Sequence, residues 1–166
     1  FKVKCPTTYL STIIFKNNTV IRLTLSFDVI AHQRNHIELY GDKGSMIVPD
    51  PNMFGGSVYI CKKLGDTWKE YKVNKMLLGK INIKSQSSRA NESSTNANYR
   101  GVGLAEMAYS IENKKINKCN GELSLHVLDI IKSTMKACVS GKSQSIKTTC
   151  AKPLPFSLKQ IRKILK

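Results

Sequence analysis

The chain has 166 residues, 41% of them hydrophobic, and a formal net charge of +16. That length lets one compact domain bury around 70% of the surface its unfolded chain exposes, so a core is expected without staples. No apolar run approaches the roughly 18 residues of a membrane span, and five cysteines, odd in number and with no Cys-x-x-Cys spacing, argue against a disulfide framework or a zinc site. Thiols kept reduced in a cytoplasmic protein are the plain reading. The basic residues are scattered from Lys2 to Lys166, only five are arginines, and no basic strand is studded with aromatics. Specific nucleic-acid recognition is therefore not expected, and a solvated surface is.

Tyr9 to Phe15 reads as a strand, followed by an Asn-rich turn at Lys16-Asn17-Asn18. From Val20 to Val29, Ile21, Leu23, Leu25, Phe27 and Val29 alternate with polar residues, the period of a strand with one covered face. Ile37 to Tyr40, Ser45 to Val48, Ser57 to Lys62 and Lys69 to Val73 are further strands, and their short connections favour antiparallel neighbours. Gly41 and Gly44 bracket a hairpin turn, and Pro49 with Pro51 removes donors where the strand stops. The Ser- and Asn-rich stretch from Asn82 to Asn98 is expected to be a mobile loop.

Helices are expected over Leu104 to Glu112 and Glu122 to Val139, the second with Leu123, Val127, Ile130, Ile131, Thr134 and Cys138 at helical spacing. Ile146 to Thr148 reads as a last short strand, and 157–166 as a basic amphipathic tail helix that packs on the sheet. The fold class is α+β, an open, predominantly antiparallel sheet with helices packed on one face. Residues 1–156 form the domain and 157–166 its tail.

Three segments carry a resemblance. The first runs from Ile37-Glu38-Leu39-Tyr40-Gly41 through Val48-Pro49-Asp50-Pro51-Asn52 to Phe54-Gly55-Gly56. The second is Asn98-Tyr99-Arg100-Gly101-Val102-Gly103-Leu104-Ala105-Glu106-Met107-Ala108, and the third Gly121-Glu122-Leu123-Ser124-Leu125-His126-Val127-Leu128-Asp129. In this order they resemble the carboxy-terminal domain of the glucose-fructose oxidoreductase, inositol dehydrogenase and MocA family (Gfo/Idh/MocA). The resemblance implies a sugar- or polyol-binding and oligomerisation domain of an oxidoreductase of sugar metabolism that uses NAD or NADP. It also implies a homo-oligomer, dimer or tetramer, assembled through the open sheet face.

The nucleotide-binding Rossmann domain of that family has no counterpart here. Gly101-Val102-Gly103 is the nearest approach to a glycine-rich turn, but it lacks the third glycine and follows no strand. The family's lysine in Glu-Lys-Pro and its Asp-x-x-x-His pair are also missing. The chain is thus expected to hold no cofactor and no catalytic residue, and to be a dehydrogenase fragment inactive in isolation. A non-catalytic assembly or binding module left from such an enzyme is the alternative.

Tyr99 and Arg100 are the foremost substrate-binding candidates, because a phenol and a guanidinium at a loop-to-helix junction can bond hydroxyls or a carboxylate. His126 is the third. It shares a helix face with Glu122 and Asp129, either of which can orient the imidazole, and a structural histidine in that network is the blander reading. His32 and His36, with Arg34 between them, have poor geometry for a metal without a carboxylate.

Overall fold

The computed structural model describes residues 2–52, 54–72, 78–80, 97 and 99–165. It has a mixed α+β fold of two antiparallel sheets and three helices, with no closed barrel. The first sheet pairs β1 (Thr8–Ile14) with β2 (Val20–Ser26). The second has the order β3 (Ile37–Gly41), β4 (Gly44–Val48), β5 (Ser57–Cys61) and β6 (Lys69–Lys72). The helices are α1 (Val102–Glu112), α2 (Gly121–Ser140) and α3 (Leu158–Ile164).

Chain contacts group these elements into two compact units. One joins Phe1–His32 to Lys118–Leu154 and so contains β1, β2 and α2; the other joins Gln33–Asn117 to Pro155–Lys166 and contains the four-stranded sheet with α1 and α3.

In the first unit the hairpin closes through a three-residue loop. Phe15 N–H donates to Thr19 O and Asn18 N–H to Phe15 O, both at 2.9 Å, while Asn17 Oδ1 accepts from Thr19 N–H at 3.1 Å. Asn18 sits at φ 65°, the left-handed position that ends such a loop. Asparagine tolerates it because its short side chain hydrogen-bonds locally. Asn18→Ala is expected to lower stability by about 1 kcal/mol, and Asn18→Gly to leave it unchanged or raise it slightly. Urea midpoints of the two variants check this.

Strand pairing sorts the hairpin into two faces. Tyr9, Ser11 and Ile13 are half-buried together with Leu23, and α2 contacts β1. Leu10, Thr12 and Ile14 share the other face with Thr24, Arg22 and Val20, and all six are exposed.

Helix α2 begins one residue before its expected start and ends one beyond its expected end. Asn120 Oδ1 accepts from Leu123 N–H as N-cap, and Gly141 at φ 64° caps the other end by donating its N–H to Ala137 O.

In the second unit, the positive φ expected between Gly41 and Gly44 falls on Gly44, at 134°. Helix α3 starts with a full capping box, Ser157 and Gln160 each bonding the other's backbone N–H. Its Ile161 is buried, and among the described residues α3 contacts α1 and no strand, not the sheet as expected. Glu106 of α1 is buried and accepts from the Ser110 hydroxyl at 2.9 Å.

Several expectations change against this structure. The segment Ile146 to Thr148 is no strand, because the backbone N–H groups of Lys147 and Thr148 are taken by the Asp129 carboxylate and not by a neighbouring strand. Val73 lies outside the described residues, as does the expected loop except for Ala97, which is buried and bridges Phe54. Among the described residues, Ala97 and Ile161 are the only buried apolar side chains, so the closed core anticipated from length is not present there.

Candidate functional site

The prolines at 49 and 51 lack the N–H that would extend β4, and the chain turns. Asn52 N–H donates to Asp50 Oδ1 at 2.8 Å, a side-chain-capped turn. Arg100 closes on Asn52: Nη1 donates to Asn52 Oδ1 at 3.3 Å and Nη2 to Asn52 O at 3.2 Å. The rigid guanidinium fork suits two acceptors on one residue. Tyr99, next to it, donates its hydroxyl to Lys80 O at 2.9 Å and meets the Phe54 ring edge-on, with centroids 5.8 Å apart.

Two glycines let this loop close. A Cβ on Gly55 would stand 3.2 Å from Gly79 O, and one on Gly56 would stand 2.9 Å from Pro49 Cβ; both residues have positive φ. At the other end of the turn His36 Nε2 lies 3.6 Å from Asp50 Oδ2. Tyr99, Arg100, Asn52, Asp50 and His36 therefore belong to one connected set. Asn52 and Asp50 were missed as site residues, and the signal was the Pro-Asp-Pro-Asn run itself, whose two acceptor side chains stand among donor-free prolines.

In the first unit, His126 Nδ1 lies 3.0 Å from Thr148 Oγ1. Thr148 in turn donates its hydroxyl to Asp129 Oδ2 at 2.9 Å, and Ser133 reaches Asp129 Oδ1 at 3.3 Å. Asp129 thus orients the ring through a threonine that was read only as strand. Glu122 occupies the first turn of α2, where its charge meets the positive end of the helix.

The structure therefore joins Tyr99 and Arg100 to the 49–56 loop in one unit, and His126 to Asp129 in the other. His32 belongs to the first unit and His36 to the second. Among the described residues no group of three or more His, Cys, Asp or Glu side chains is arranged to hold a metal, and no disulfide joins any of the five cysteines. No helix there is long and apolar enough to cross a membrane.

Comparison with known proteins finds no matching family model, curated protein or solved structure.

The backbone N–H of Thr148, then its hydroxyl, hold the Asp129 carboxyl below its ordinary value, with Lys147 N–H and the Ser133 hydroxyl adding to the same direction. The Thr7 and Thr8 hydroxyls do the same for Asp28 at the edge of the hairpin. A carboxyl with a depressed folded pKa contributes stability that is present above its unfolded pKa and lost as pH falls through the folded one. Stability is therefore expected to drop from about pH 4 downward. Asp129→Asn should be less stable than wild type at pH 7 and differ less from it at pH 3, as urea midpoints at the two pH values will record.

Proposed function

We propose that the chain is the substrate-binding and oligomerisation domain of an NAD(P)-dependent sugar or polyol oxidoreductase of the Gfo/Idh/MocA type, acting in the cytoplasm and not catalytic by itself. The observation that carries this reading is the contact between two of the three resembling segments. Arg100 and Tyr99 of the second segment grip Asn52 and Phe54 of the first, so the residues that support the resemblance also form one polar set. A phenol, a guanidinium, a carboxamide and an imidazole–carboxylate pair are the donors and acceptors that a polyhydroxylated ligand needs.

In the proposed enzyme a nicotinamide cofactor held by another domain would supply the hydride chemistry at a carbinol carbon. In this reading Tyr99 and Arg100 of the second unit supply sugar-binding groups, and His126 of the first unit is a separate candidate contact. The exposed face with Leu10, Ile14 and Val20 supports the second reading, an assembly module, because apolar residues on a sheet face favour a partner.

Calorimetry separates the two. The isolated chain is expected to bind a polyol such as myo-inositol weakly, with loss of the heat in Arg100→Ala, and to give no heat with NAD(H). Micromolar NAD(H) binding would overturn the assignment of the cofactor to another domain. Coding DNA upstream with a glycine-rich turn and Glu-Lys-Pro favours the enzyme; a frame without them favours the assembly module.

A further inference from the structure

The proton inventory around Thr148 decides the state of His126. Asp129 Oδ2 accepts from the backbone N–H of Lys147 at 2.9 Å, the backbone N–H of Thr148 at 3.0 Å and the Thr148 hydroxyl at 2.9 Å. A threonine hydroxyl has a single proton. With that proton on the carboxylate, Oγ1 shows only lone pairs to His126 Nδ1, 3.0 Å away. A bare Nδ1 would set lone pair against lone pair. Turning the hydroxyl toward the ring instead would set its lone pairs against an ionised carboxylate at 2.9 Å, the worse of the two contacts. Nδ1 therefore holds the proton and donates it.

A neutral imidazole has one N–H, so Nε2 keeps its lone pair, the reverse of the tautomer that a histidine side chain prefers in water. Nε2 hydrogen-bonds no described residue and is not among the buried polar atoms without a partner, a set in which Ser11 Oγ stands alone among the described residues. It is therefore not sealed from solvent.

We propose that Asp129 and Thr148 are positioning residues that hold neutral His126 in the Nδ1–H form, so that Nε2 is presented as a hydrogen-bond acceptor to a ligand hydroxyl. That the ligand is a polyol rests on the function proposed above. A bare Nε2 takes a hydroxyl, which donates, and refuses a ketone or ether oxygen, which cannot. It thereby selects an alcohol at that position over the corresponding carbonyl compound.

Two-bond proton–nitrogen correlation spectra of the whole chain, recorded above the ring's titration, test this. Wild type is expected to show Nδ1 protonated and Nε2 bare. Thr148→Val keeps both backbone bonds to Asp129, and so the local fold, while removing the hydroxyl; its ring is expected to change to mainly Nε2–H. Thr148→Ser is expected to restore the wild-type form. A wild-type ring in the Nε2–H form, or a Thr148→Val ring unchanged from wild type, overturns the proposal, and the wild-type spectrum decides even if the variant does not fold. Addition of myo-inositol is expected to move the Nε2 signal of wild type. An Nε2 signal that stays still, with the tautomer as expected, overturns the polyol reading and leaves the positioning role standing.

Discussion

Gly44→Ala is expected to destabilise the second unit more than any other single methyl addition in its turns. At φ 134° the added Cβ would stand 2.5 Å from Cys61 O and 3.1 Å from Lys62 Cα, both backbone atoms. Neither can retreat without pulling apart the pairing of Ser45 with Cys61 that joins β4 to β5. The backbone conformation costs about 1–2 kcal/mol for an L-residue, and forcing an atom into occupied space about 1–3 kcal/mol more. The sum, about 2–5 kcal/mol, is a large part of the ~5–15 kcal/mol that a domain has. Gly65→Ala is the control: its φ of 84° is also positive, but no atom lies within 4 Å of its Cβ position. Urea unfolding should give the conformational share alone for Gly65→Ala and the full loss for Gly44→Ala. Equal midpoints for the two would mean that the approach of Cys61 is not a constraint.

Arg22→Glu combined with Thr24→Trp is expected to convert a self-associated wild type into monomers. The pairs Thr12–Arg22 and Leu10–Thr24 lie on the face of the β1–β2 hairpin away from its half-buried side. Leu10 and Ile14 there are each 69% exposed, while Arg22 adds charge among them. In the proposed assembly this face meets the same face of a second copy, so a reversed charge and an indole appear twice across the interface. Light scattering should show the mass fall to that of one chain, with the circular dichroism unchanged. A wild type that stays monomeric at high micromolar concentration counts against the interface.

Local patterns announced local structure. The alternation in Val20 to Ser26, the Asn-rich turn before it, and the apolar spacing of Leu123, Val127, Ile130 and Ile131 in α2 each act within a few residues, so their signals stand side by side in the chain. The division of the strands into two sheets was not legible. Alternation states that a strand has two faces, but it does not state which strand becomes its neighbour. The Ile146 to Thr148 segment was misread for a related reason. A short β-branched stretch has the same composition whether its N–H groups meet a strand or a carboxylate, and Asp129 lies 18 residues from Lys147 and 19 from Thr148.

The site divides in the same way. By itself the sequence determined that Tyr99 and Arg100 stand at the entry to α1, that His126 and Asp129 share a face of α2, and that two prolines and a pair of glycines bend the chain between Pro49 and Gly56. Those facts depend on covalent geometry and helical period, which neighbouring residues suffice to specify. Only the tertiary structure decided that Arg100 grips Asn52, 48 residues away, and that Thr148 stands between His126 and Asp129. A hydrogen bond is made by whichever donor and acceptor the folded backbone brings within about 3 Å, and separation along the chain does not enter that distance.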